Sequence, residues 1–144
     1  MEATDYIRGG LYLLDRGQFS AAVECFDNAV TAEPDNGEAW YHKGYCLSRL
    51  PGRQDEALEC FDRSLQADPE HPEVWTAMAA VLRRMGRTGE AADCYREVID
   101  REPDSPAAWL ALAGCLGEQD KTVEAVECLD RAVEIEPDHA LAYC

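Results

Sequence analysis

Large apolar residues return along this chain at a fixed long interval. Tyr6, Trp40, Trp75, Trp109 and Tyr143 are spaced 34, 35, 34 and 34 residues apart. Leu13, Leu47, Leu82 and Leu116 keep the same beat, as do Phe26, Phe61, Tyr95 and Leu129. Inside an interval the spacing is helical. Trp40, Lys43, Gly44 and Leu47 fall at i, i+3, i+4 and i+7, with a lapse at Lys43 whose aliphatic stem can cover apolar surface. Ala57, Phe61, Ser64 and Leu65 mark a second helix in the same interval, and no alternating strand pattern of useful length occurs. The pattern therefore predicts two helices per unit and four units, at 3–36, 37–71, 72–105 and 106–139. Residues 140–144 open on schedule either a truncated fifth unit or a capping helix.

Small residues and prolines complete the beat. Gly10, Gly44, Ala79 and Ala113 occupy the fourth position after the large aromatic, and Ala22, Ala57, Ala91 and Ala125 recur in the second helix. Both columns let the paired helices approach closely, and the Phe/Tyr column fills the space between neighbours. Pro34, Pro69, Pro103 and Pro137 close the units, where a helix cannot continue. His71-Pro72 and Ser105-Pro106 read as an N-cap followed by proline at the first helical position, and Asp35, Asn36 and Asp138 are placed to cap similarly. The extra residue of the second unit falls at Leu50-Pro51-Gly52, where a turn absorbs it.

These columns resemble the tetratricopeptide pattern of Trp, Leu, Gly, Tyr, Ala, Phe, Ala and Pro, over residues 3–139. Lys43 and Gly9 stand where the pattern prefers Leu, and Leu129 replaces its aromatic. The resemblance implies an all-α fold: a right-handed superhelical α-solenoid of antiparallel helix pairs. It also implies that the first helices line a concave groove. On the helical wheel, the positions turned away from the buried stripe include Ile7, Arg8, Leu11, Tyr41, His42, Tyr45, Arg49, Thr76, Arg83, Arg84 and Leu110. Aromatic residues and arginine are the types enriched at binding hot spots. These eleven residues are the candidate site, for an extended or helical peptide with apolar anchors and some acidic residues. Ile7, Leu11 and Leu14 also suit plain packing between neighbouring first helices. Family members that clamp a terminal carboxylate use Lys, Asn, Asn, Lys and Arg, whereas the matching positions here are Ile7, Leu11, His42, Glu73 and Ala77. The Asn ladder of the sugar-transferase relatives is replaced by Arg8, His42, Ala77 and Ala111. Neither of those ligands is implied.

Charge narrows the choice further. With 29 acidic and 13 basic residues the chain carries −16, which disfavours nucleic acid and anionic membrane as partners. Glu24, Glu59, Asp93 and Glu127, joined by Asp27, Asp62 and Asp130, form an acidic row on the second helices, read as a solvated face. No apolar run approaches the length of a membrane span, and Met1-Glu2-Ala3-Thr4-Asp5 has neither a basic patch nor a signal core, so a cytoplasmic protein is expected.

Cys25, Cys60, Cys94 and Cys128 share one column, and Cys46 and Cys115 another. Residues one repeat apart are too distant for disulfides, and with no C-x-x-C spacing the thiols read as small core hydrophobes, not metal ligands. No Gly-rich phosphate loop and no recognisable nucleophile constellation occurs, so no catalytic residue, metal or cofactor is expected. His42 is placed for ligand contact, while His71 and His139 lie in inter-repeat turns. The leading expectation is a protein-interaction scaffold. The alternatives are a structural segment that self-associates end to end through the C-terminal unit, and a non-catalytic domain of a larger protein.

Overall fold

The computed structural model describes residues 2–136. Among them are eight α-helices and no strand: α1 (Ala3–Asp15), α2 (Phe19–Ala32), α3 (Gly37–Ser48), α4 (Gln54–Ala67), α5 (Pro72–Arg84), α6 (Thr88–Arg101), α7 (Pro106–Glu118) and α8 (Thr122–Ile135). Pro137, Asp138, His139, Tyr143 and Cys144, and with them the expected fifth opening at 140–144, lie outside the described residues. The chain forms two compact bodies that divide between Val74 and Trp75. In the first, α1 packs on α2, α2 on α3 and α3 on α4. In the second, α6 packs on α7 and α7 on α8, while the Arg101 guanidinium of α6 lies 5.4 Å from the centre of the Trp75 ring of α5.

The helix ends follow from local chemistry. Asn36 Oδ1 accepts from the Ala39 amide at 3.0 Å, and Ser105 Oγ from the Ala108 amide, with Pro106 at the start of α7. After α1, α5 and α7 the chain reverses through one left-handed residue: Gly17 (φ 73°), Gly86 (φ 78°) and Asp120 (φ 62°). The next amides, of Gln18, Arg87 and Lys121, then donate back to the carbonyls of Leu13, Leu82 and Leu116 at 3.0, 2.8 and 2.8 Å. The leucine column thus supplies a core side chain and a helix-ending acceptor together. The inserted residue of the second unit is absorbed between α3 and α4, where Arg49–Arg53 replaces the shorter links found after α1, α5 and α7.

Packing between paired helices depends on the small column. A Cβ on Gly10 would stand 2.6 Å from Phe26 Cζ, and one on Gly44 would stand 2.8 Å from Phe61 Cε1. Phe26 and Phe61 are fully buried in consequence. Ser64, the polar member of the second-helix stripe, is also buried and donates through Oγ to the Gly37 carbonyl at 2.8 Å, tying α4 to the start of α3. Cys46, Cys60, Cys94, Cys115 and Cys128 are buried, as small core residues should be. Burial pushes the Cys46 thiol up to about 12 and the Cys60 thiol up to about 11.

The tryptophans that set the repeat do not lie at the centre of the core. Trp40, Trp75 and Trp109 are only partly buried. The indole N–H needs an acceptor, and Trp40 and Trp109 find one in the carbonyls of Pro34 and Pro103 at 2.7 and 2.9 Å. Arg63 lies 4.8 Å from the Trp40 ring centre, and Arg131 lies 5.6 Å from that of Trp109. The largest fully buried side chains are instead Phe26, Phe61, Leu47, Leu116, Val74 and Val81.

Candidate functional site

α3 brings the candidate aromatic residues together. Tyr41 and His42 are half-buried and Tyr45 is exposed. The His42 ring stacks on Phe26 of α2 at 5.5 Å, and Tyr41 leans on Phe61 of α4 at 6.2 Å, so both are positioned by the two buried rings beneath them. Tyr41 also meets the His71 ring at 5.8 Å. Together Tyr41, His42 and His71 line a depression of about 390 Å³ in the first body, rimmed by Asp35, Glu38, Asp68 and Glu73.

The electrostatics of this depression are one-sided. Burial holds the His42 imidazole below its ordinary pKa, with Glu38 at 3.6 Å opposing the shift. Burial, helped by Glu73 and Tyr45, raises the Tyr41 phenol. The lining therefore presents an uncharged phenol and a largely neutral imidazole inside a ring of four carboxylates. An aromatic or aliphatic side chain, or a cationic one, suits this surface, and an acidic one does not.

The remaining candidates divide. Arg8, Arg49, Thr76 and Arg84 are exposed. Leu11 and Leu110 are half-buried, and Ile7 is buried at 8% exposure, so Ile7 packs within the first body. Arg49 rests its guanidinium 5.6 Å from the Phe19 ring centre. Arg83 is engaged by Glu118 at 2.7 Å. Thr76, Arg83, Arg84 and Leu110 belong to the second body and are not among the residues that line the depression.

His71 is the residue that sequence reasoning missed. It sits in a turn, outside any periodic column of first-helix positions. Only the folded chain gives it away: the ring of His71, the residue before Pro72, meets that of Tyr41 within the first body. Its Nδ1 is buried without a hydrogen-bond partner. No group of three or more His, Cys, Asp or Glu among the described residues could hold a metal ion, and no helix among them is long and apolar enough to cross a membrane.

Helix hairpins repeated in register, held in the first body by interlocking glycine and phenylalanine and presenting side chains from their first helices, define an α-solenoid repeat protein. Three tetratricopeptide repeat models match, at residues 7–72, 60–92 and 82–143. The chain belongs to the tetratricopeptide repeat family. No curated protein matches it significantly. Among solved structures, a crystal structure of MamA is 20% identical with a TM-score of 0.89, covering 96% of this chain and 80% of that one. MamA residues 41-end from Desulfovibrio magneticus RS-1 are 23% identical with a TM-score of 0.84, covering 94% and 76%. YrrB, a TPR protein with an unusual peptide-binding site, is 26% identical with a TM-score of 0.83, covering 98% and 73%.

Proposed function

We propose that this chain is a protein-interaction scaffold whose first-helix faces capture a peptide segment of a partner, with the main anchor in the Tyr41–His42–His71 depression. The repeat units of the scaffold are 3–36, 37–71, 72–105 and 106–139, with 140–144 beginning either a fifth unit or a capping helix. The observation that carries the reading is a set of aromatic rings left half-exposed on α3, although the buried rings below could have been covered by smaller, more polar residues. The peptide-binding site of YrrB, a structurally similar repeat protein, supports it.

The ligand chemistry follows from the lining. An aromatic or aliphatic anchor enters the depression, since the four carboxylates around it would repel an acid. Acidic residues of the ligand flank that anchor and meet Arg8, exposed on α1, and Arg49, exposed just after α3. The test is selection from a displayed random-peptide library, followed by titration of the enriched peptides. Tyr41→Leu keeps apolar bulk over Phe61 but loses the phenol, and Arg49→Glu reverses the flanking charge. Each should weaken binding by about tenfold or more while the helical circular-dichroism spectrum is retained. Enriched peptides that bind both variants as tightly as the parent chain would refute the site.

A further inference from the structure

The last described helix carries an apolar face that its counterparts keep covered. Counting by the repeat, Val23, Phe26 and Val30 of α2 correspond to Val126, Leu129 and Val133 of α8. On α2, which α3 covers, the three are 4%, 0% and 8% exposed; on α8 they are 49%, 43% and 43% exposed. The equivalent residues of α6, which α7 covers, are Ala92, Tyr95 and Ile99, at 1%, 7% and 9%. Val123, at 74%, widens the stripe on α8. Contiguous apolar surface of this kind marks a place where something docks.

Charge selects the occupant. Glu134 of α8 is held by Arg131 at 3.2 Å, whereas Glu127 and Asp130, exposed near the stripe, have no ion-pair partner among the described residues. The α2–α3 contact shows how such a position is satisfied: Lys43 of α3 reaches Asp27, the counterpart of Asp130, at 2.7 Å. A second copy of the chain fits poorly. Head to tail it would offer the outer positions of α1, where Asp5, Arg8 and Tyr12 stand in place of Ala39, His42 and Cys46, and two charges would be buried against valine and leucine. Face to face it would set two acidic α8 surfaces together on chains of −16 each.

We infer that the Val126–Leu129–Val133 face of α8 docks an amphipathic helix of another protein, with an apolar stripe and a lysine or arginine placed to pair with Asp130 and Glu127. This site is independent of the Tyr41 depression, and neither proposal depends on the other.

The probe is a fluorescent Leu/Lys peptide of about 18 residues patterned to form one apolar helical face, with a Leu/Glu peptide of the same pattern as control. Both are titrated with the full chain at physiological salt and followed by anisotropy. The Leu/Lys peptide should bind and the Leu/Glu peptide should not. The triple variant Val126→Ser, Leu129→Ser, Val133→Ser keeps every charge and should lose about tenfold or more in affinity with its melting temperature unchanged. Glu127→Lys with Asp130→Lys should weaken the Leu/Lys peptide and admit the Leu/Glu one. Equal binding of both peptides, or binding that survives the triple variant, would overturn the inference in favour of diffuse attraction to an acidic chain. A dimer seen by light scattering and abolished by Leu129→Ser would replace the helix with a second copy. A large drop in melting temperature for Leu129→Ser, with no peptide bound, would mean that the chain's own residues cover the face.

Discussion

Arg83 of α5 donates through Nη2 to Glu118 Oε1 of α7 at 2.7 Å, and Thr88 of α6 donates to the other oxygen of the same carboxylate at 3.2 Å. One carboxylate therefore links three helices of the second body. The pairing lowers the pKa of Glu118, chiefly through the hydrogen bond from Arg83. It also removes from play one of the four arginines expected to meet a ligand.

Both partners are partly solvated, with side chains 34% and 48% exposed, so the ion pair is screened and its contribution to stability is small. Arg83→Ala should lower stability by less than about 1 kcal/mol in urea titrations, and by less still at high salt. Its peptide affinity should equal that of the parent chain, in contrast to Arg49→Glu. A loss of affinity in Arg83→Ala would return this residue to the binding surface.

Gly44 tests the close approach of α3 and α4. An added Cβ there would meet the Phe61 ring at 2.8 Å and the backbone carbonyl of Ala57 at 3.1 Å. The ring is fully buried and the carbonyl cannot move without its helix, so the clash outweighs the helix propensity that alanine gains over glycine. Gly44→Ala should destabilise the protein by about 1–2 kcal/mol, and Phe61→Leu in the same chain should recover part of that loss. Gly117→Ala meets nothing within 4 Å and should be neutral or stabilising by up to about 1 kcal/mol. Chemical denaturation of the three variants decides the matter. A neutral Gly44→Ala would show that the hairpin can open without cost.

This glycine also shows why the helices could be read from the chain. The fit of Gly44 to Phe61 lies within one hairpin and repeats as Gly10 to Phe26, so periodicity records it twice. Asn36 and Ser105 likewise cap through contacts three residues long. What stayed hidden depends on distance or depth. The Arg83–Glu118 bond spans 35 residues and joins two different helices, so a wheel drawn for either helix alone does not show it. Ile7 and Tyr41 occupy equivalent wheel positions, yet one is buried and the other lines the depression. Periodicity says which way a residue points and not what stands in front of it. His71 reaches the site from a turn, outside the first-helix columns from which the candidate site was read.

His42 ties the candidate site to stability through its titration. Its ring is stacked on Phe26, and burial lowers its pKa against the opposing pull of Glu38. The unfolded chain therefore binds a proton at this imidazole before the folded chain does. As pH falls below the ordinary histidine value of about 6.5, folding loses stability until the lower, folded-state pKa is passed. Asp62 acts in the opposite sense: burial and Glu59 raise its carboxyl, so protonating it favours the folded state, but only in the more acidic carboxylate range. Between neutrality and mild acid the histidine effect is thus separable. The urea midpoint should drop from pH 7.5 to pH 5.5 in the parent chain, and His42→Phe, which keeps a ring against Phe26, should show a shallower drop. An NMR titration of the His42 ring protons supplies the direct check. A midpoint above the ordinary histidine value would mean that the carboxylates around the depression dominate over burial, and that the site presents an imidazolium to its ligand at neutral pH.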